Sequence, residues 1–177
     1  MDIRKLRRED VERVWSIDRS EVIESIYHHR DGLLVLVPER HDVKGWVQET
    51  IESYHPWLLD CFDRGGAFFG AFENGRLVGV SVLESRFIGA AHDQLQLKFL
   101  HIGRGQRRMG LGRRLFDLAV ERAREMGARR LYVSSTPSEN TVDFYLHLGC
   151  RVASEVDSEL FEQEPEDIHL EFLIPDR

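Results

Sequence analysis

The stretch from Leu95 to Gly127 constrains the chain most. It reads as a strand running into a loop of interleaved glycine and arginine, which opens directly into an amphipathic helix. Leu95, Leu97, Phe99 and His101 alternate with Gln96, Lys98, Leu100 and Ile102, the period of two expected of a strand. After the loop Gln106-Arg107-Arg108-Met109-Gly110-Leu111-Gly112, the residues Leu111, Leu115, Leu118, Ala119, Ala123 and Met126 recur at helical spacing. Gly127 then stands where a left-handed cap ends a helix. Such a loop gathers unpaired N–H groups and the positive end of a helix dipole at one point, which suits an anion, and its glycines let the backbone approach closely.

Spacing excludes two phosphate-binding motifs. Gly103-x-Gly105 is followed by Arg108 where the dinucleotide fingerprint requires glycine, and Gly105 to Gly110 is followed by Leu111 where a P-loop carries lysine. What remains is Arg-x-x-Gly-x-Gly at Arg107, Gly110 and Gly112. With its flanking strand and helix it resembles the acyl-CoA loop of the GNAT superfamily of N-acetyltransferases. Asn140 and the run Phe144-Tyr145-Leu146-His147-Leu148-Gly149 resemble that family's Asn followed by Phe-Tyr-x-x-x-Gly, so the likeness covers roughly the second half of the chain.

The resemblance implies a set of roles. Backbone N–H groups across Arg107, Arg108, Met109, Gly110, Leu111 and Gly112, with Arg113 beside them, would hold the pyrophosphate of acetyl-CoA. Main-chain groups of Leu100 and Ile102 would pair with the pantetheine arm, and Asn140 would contact the cofactor. Tyr145 would act as general acid toward the departing thiol, its phenol of pKa about 10 remaining protonated at neutral pH. The family often carries proline three residues before the loop's first arginine; here that position is Arg104. The base is unassigned: His101, with an unperturbed pKa of about 6.5, is the first candidate, and Glu84 and His169 are alternatives facing the same cleft. An amine arriving neutral in small proportion would need no strong base.

Elsewhere the pattern predicts a strand over 2–6 and a helix opening at Arg8-Glu9-Asp10 and running through Val11, Val14, Trp15 and Ile17. Next come a strand over 33–37, a loop over 38–44 and an amphipathic helix over 47–62. Residues 67–72 and 77–83 flank Asn74-Gly75, a tight-hairpin signature. A strand over 131–135 leads to Thr136-Pro137-Ser138-Glu139, read as a capping box with Pro137 as first helical residue. The helix continues through Val142, Tyr145 and Leu148 to Gly149. Closing strands follow over 150–153 and 168–174, joined by an acidic connection over 155–167 that is read as a solvated loop, with attraction of a cationic amine as the alternative.

These elements predict an α/β (α+β) fold, a mixed, mostly antiparallel twisted sheet flanked by helices. The resemblance adds central strands splayed at the cofactor site. One N-acetyltransferase domain would span 1–177, with acceptor-side helices and the first strand in 1–66 and the sheet with its acetyl-CoA-binding core in 67–177.

Composition narrows the function. The formal charge of −7 hides an asymmetry, because arginines crowd residues 104–130 while residues 152–176 contain no lysine or arginine. An acidic chain whose arginine cluster lacks interleaved aromatic residues does not fit nucleic-acid binding. Cys61 and Cys150 are the only cysteines, too few for a disulfide framework and without the spacing of a zinc site, so no metal is expected. No apolar run reaches membrane-spanning length and Met1-Asp2-Ile3-Arg4-Lys5 is too charged for a signal peptide; a cytoplasmic protein without a membrane partner is the expectation.

The expected activity is transfer of an acetyl group from acetyl-CoA to a primary amine, on a small molecule or a protein, by direct attack. The alternative is a non-catalytic acyl-CoA-binding sensor or regulatory module. Tyr27, His28, Tyr54, His55 and Trp57 are expected to help shape the acceptor pocket, and the resemblance leaves room for a homodimer.

Overall fold

The computed structural model describes residues 1–176. Its centre is a seven-stranded sheet built from β1 (Asp2–Lys5), β4 (Ala67–Glu73), β5 (Arg76–Ile88), β6 (Gln94–Ile102), β7 (Arg130–Ser135), β8 (Arg151–Val152) and β9 (Ile168–Leu173). The spatial order is β1-β4-β5-β6-β7-β9-β8, and every pairing is antiparallel except β6 with β7. The helices are α1 (Gln48–Asp63), α2 (Leu111–Glu125), α3 (Glu139–His147) and α4 (Ser158–Gln163), and a separate hairpin joins β2 (Glu21–Arg30) to β3 (Leu33–Val43). The mixed, mostly antiparallel sheet flanked by helices is the one the sequence predicts.

Several local expectations are corrected. Residues Arg8–Ser16 form a 3₁₀ helix, which nonetheless buries Val11 and Val14. Residues 38–44 are mostly strand: β3 extends to Val43, because β2, which periodicity did not show, supplies its hydrogen-bonding partner. The turn between them is Asp31-Gly32, both at positive φ (50° and 77°), the backbone that Asp-Gly adopts in a tight hairpin. The acidic connection contains α4, capped by the Asp157 side chain accepting from Leu160 N–H at 3.0 Å.

The helix after β7 starts two residues later than expected. Tyr27 N–H donates to Pro137 O at 2.7 Å and Ile26 bridges Ser138, so the hairpin holds Thr136-Pro137 extended. Ser138 is therefore the N-cap residue.

The strict alternation expected along β6 also fails. Val82 pairs Phe99 whereas Leu83 pairs Leu97, so Lys98 is an extra residue, a β-bulge. Leu95 and Leu97 consequently pack with Phe116 and Ala119 of α2, while Phe99 joins Leu58, Cys61 and Val82 in the core beneath α1. Burying such large apolar side chains contributes about 2 kcal/mol each, which fixes both faces of the strand.

One feature of the sheet makes the site. β6 and β7 pair only at Gln94, Leu95 and Gln96, opposite Arg130, Leu131 and Tyr132. Beyond Gln96 the two parallel strands diverge, and the wedge between them is open.

Candidate active site

Two cavities occupy the wedge. The larger, of about 640 Å³, runs from the N-terminus of α2 along the end of β6 to α3. The smaller, of about 260 Å³, lies between α1, the diverging strands and the acidic connection. Arg19, Leu100, His101, Thr136, Thr141 and Tyr145 line both, so the cavities meet there.

At the mouth of the larger cavity the chain turns through Arg108 (φ 63°) and Gly110 (φ 76°) before α2 begins. Gly110 is the N-cap residue and no side chain caps the helix, so its first N–H groups face the cavity mouth with the dipole behind them. Gly112 follows, where a Cβ would stand 3.0 Å from the Phe144 ring. This cradle of glycine backbone and arginines fits a pyrophosphate.

The sequence-predicted residues divide by position. Leu100, His101, Ile102, Arg107, Arg108, Gly110, Gly112, Arg113, Asn140 and Tyr145 all line the larger cavity. Met109 does not: its side chain is exposed. Leu111 does not either, being packed with Phe69, Ala71 and Leu115 in the core. Gly103 N–H donates to Val78 O on β5, and by strand alternation the main-chain groups of Leu100 and Ile102 turn toward the edge that β7 has left.

Arg107 is placed differently from a free phosphate ligand. Its Nε donates to Ile102 O at 3.2 Å, Nη1 to Glu21 Oε2 at 3.2 Å and Nη2 to Arg19 O at 3.3 Å. The guanidinium thus ties the loop to the start of the hairpin, and it takes up the Ile102 carbonyl.

Tyr145 is 5% exposed, and its hydroxyl makes no hydrogen bond among the described residues. Burial pushes its pKa up, so the phenol is protonated at neutral pH. His101 stacks edge-on against Trp46 (4.8 Å between ring centroids) and Phe99 (5.1 Å). Burial, reinforced by the charges of Arg19 and Arg107, pushes its imidazole down to about 3, so the ring is neutral and weakly basic.

The other two candidate bases lie outside the wedge. Glu84 accepts from Arg64 at 3.0 and 3.1 Å and from Lys98 at 3.2 Å. Burial alone would raise its pKa, but the Ser85 N–H and these two cations outweigh it and hold the carboxyl at about 2. His169 is hydrogen-bonded through Nδ1 to the Tyr132 hydroxyl at 2.6 Å within the sheet. Cys61 and Cys150 are buried thiols pushed up to about 12, which leaves neither as a nucleophile at neutral pH.

The smaller cavity has both aromatic and acidic walls. Trp46, Tyr54, Trp57 and Phe99 line it together with Glu164 and Asp167. The Tyr54 hydroxyl donates to Glu164, joining α1 to the acidic connection, and Ser134 Oγ donates to Asp167 at 2.9 Å. Burial and the neighbouring Glu164 push Asp167 up to about 6 in spite of that hydrogen bond. The acidic connection is therefore a cavity wall as well as a surface segment.

Of the residues expected to shape the acceptor pocket, Tyr54 and Trp57 do so. Tyr27 instead donates to Asp143 at 2.8 Å, His55 Nδ1 accepts from Trp15 Nε1 at 3.0 Å, and His28 lies on β2, outside both cavity walls. Sequence reasoning missed Arg19 and Glu21, which reach the site only because the hairpin folds over α3. The signal that could have found that hairpin was Asp31-Gly32 between two β-rich runs.

Comparison with known proteins agrees with this geometry. The sequence matches the acetyltransferase (GNAT) family over residues 23–150. Nourseothricin acetyltransferase has a similar structure, with a TM-score of 0.72 at 20% identity over 98% of both chains. A GNAT-family acetyltransferase from Staphylococcus aureus Mu50 gives 0.67 at 15% identity, covering 98% of this chain and 99% of that one. PaiA N-acetyltransferase from Thermoplasma acidophilum, solved with coenzyme A, gives 0.60 at 21% identity, covering 97% and 98%. No curated protein matches the chain in sequence.

Proposed function

The chain belongs to the GNAT acetyltransferase family, and from that we propose that it transfers an acetyl group from acetyl-CoA to a primary amine by direct attack at the junction of its two cavities. The observation that carries this reading is the junction itself. A cavity with a phosphate cradle at its far end and a second cavity with aromatic and acidic walls share Leu100, His101, Thr136, Thr141 and Tyr145. A sensor would need the first cavity but has no use for the second.

Acetyl-CoA supplies an activated thioester, and everything else falls to the protein. The uncapped N-terminus of α2 and the turn at Gly110 hold the pyrophosphate, with Arg108 and Arg113 adding charge at the mouth. The edge of β6 that β7 has left aligns the arm through Leu100, and the Ile102 N–H is the donor toward the thioester oxygen, while the Ile102 carbonyl stays with Arg107. Asn140, on the first turn of α3, takes the remaining polar contact along that wall.

Tyr145 is the general acid: its hydroxyl, protonated and without an internal acceptor, gives its proton to the departing thiolate, and the attacking nitrogen sheds one as the amide forms. His101 is better cast as a wall than as the base, since burial above all, with the charges of Arg19 and Arg107 added, leaves its imidazole weakly basic. A cation in the same positive field loses its proton more readily, so the amine reaches the junction neutral without a strong base. Free-thiol release from acetyl-CoA against a panel of primary amines tests the reading. Turnover with at least one amine is expected, and saturable acetyl-CoA binding with no turnover on any amine would leave the sensor instead.

A further inference from the structure

We propose that the smaller cavity selects acceptors that carry a second cationic group, held by the Glu164 and Asp167 carboxylates while the reacting amine sits at the junction. This rests on the acetyl-transfer reading above and specifies its substrate class as diamines and larger polyamine-like cations.

The two carboxylates are unbalanced. Glu164 is met by the Tyr54 hydroxyl and Asp167 by the Ser134 hydroxyl, and among the described residues neither has a basic partner. The one lysine on the cavity wall does not answer them: Lys98 is 2% exposed, paired with Glu84 and seated over the Trp57 ring 3.1 Å from its centroid. The charge of the exposed Glu164 adds to the burial that disfavours ionised Asp167, and a cation placed between the two relieves it.

Neutral groups on the walls suit the same guest. The Tyr54 ring on the wall offers an aromatic face to an ammonium group, while Trp57 already carries Lys98. Gln96, at the last paired position of β6, is 7% exposed, and its carboxamide makes no hydrogen bond among the described residues. A carboxamide that lines the cavity without a protein partner can meet a ligand group there, and its oxygen can accept from an ammonium. Tyr145, whose hydroxyl also makes no hydrogen bond among the described residues, lines the wall where the two cavities meet.

Charge also orients the guest. Arg19, stacked over Trp46 at 4.6 Å, stands where the cavities meet, whereas the acids line the smaller cavity alone. A dication therefore enters with its charged end toward Glu164 and Asp167 and its reactive end, as free amine, beside Arg19 and Tyr145. A monoamine has no such preference, and its single charge is drawn to the acids, away from the thioester.

The test compares straight-chain α,ω-diamines with n-alkyl monoamines of matched length, by thiol release from acetyl-CoA. The expected result is a kcat/KM at least about tenfold higher for a diamine of one chain length. In Glu164→Gln and in Glu164→Gln/Asp167→Asn the diamine-to-monoamine ratio falls toward one, mainly through KM. Glu164 is exposed, so the single variant keeps the comparison available if the double variant does not fold, and acetyl-CoA binding by calorimetry verifies the remainder of the site. Equal turnover of both amine series, or a diamine preference that survives the single and double variants, overturns this inference and leaves acetyl transfer standing. Acetyl-CoA binding without turnover of any amine overturns both.

Discussion

Arg107 and Glu21 join the cofactor-side loop to the first strand of the hairpin, with Nη1 3.2 Å from Oε2 and each side chain largely covered. The same guanidinium holds the main-chain oxygens of Ile102 and Arg19. Removing it should loosen the junction from both sides. Arg107→Ala is expected to raise the KM for acetyl-CoA about tenfold, and a double-mutant cycle with Glu21→Ala should give a coupling of about 1 kcal/mol. A coupling near zero in calorimetric cofactor binding would mean that the pair does not hold the loop.

The glycines of the loop make separable predictions. Gly110→Ala puts a Cβ at φ 76°, which costs about 1 kcal/mol of strain without filling the cradle. Gly112→Ala places a methyl 3.0 Å from the Phe144 ring, which must then move into the larger cavity. Thermal melting should register the first, and acetyl-CoA affinity should suffer more from the second.

Glu84 gives a pH-dependent stability. Its folded pKa of about 2 lies below the ordinary 4.5, so its contribution is full above about pH 4.5 and is lost as pH falls toward 2. Glu84→Gln leaves Lys98 buried without a counter-charge and should cost about 3 kcal/mol at pH 7. The gap between wild-type and variant melting temperatures should narrow in acid.

Asp167 carries the opposite sign. Its carboxyl is raised to about 6, so ionisation in the folded state is unfavourable, and the penalty grows as pH rises from about 4 to 6 and then stays. Asp167→Asn should therefore raise the melting temperature at pH 8 and change little at pH 4, a gain of about 1–2 kcal/mol. The groups around it are Glu164, Ser134 and the Tyr54 hydroxyl on Glu164. A variant that is no more stable at pH 8 would show that solvent reaches the carboxylate freely.

The chain over residues 67–149 was largely legible because most elements there carry their own local signal. Asn74-Gly75 sets a hairpin, the apolar stripe of α2 sets a helix, and Gly110 and Gly112 mark the cradle between β6 and α2. The acceptor side was not, because it is made by long-range contacts. Arg19 and Glu21 arrive through a hairpin of mixed polarity, and Glu164 and Asp167 belong to an acidic run that would be solvated were Tyr54 and Ser134 not beside it. His101 shows the same limit: its strand position was readable, but the burial that chiefly weakens it as a base, and the Arg19 and Arg107 charges that add to it, come from elsewhere in the chain.

The most direct measurement is the rate of thiol release from acetyl-CoA by the wild-type protein and by Tyr145→Phe, with a primary amine at saturation and cofactor affinity determined separately. The Tyr145 hydroxyl has no internal hydrogen bond, so its loss should leave melting temperature and acetyl-CoA binding close to wild type. Proton delivery by a positioned acid contributes about 100-fold or more, and kcat should fall by that order. An unchanged kcat in a folded, cofactor-binding variant would contradict the assignment of Tyr145 as the group that protonates the departing thiol.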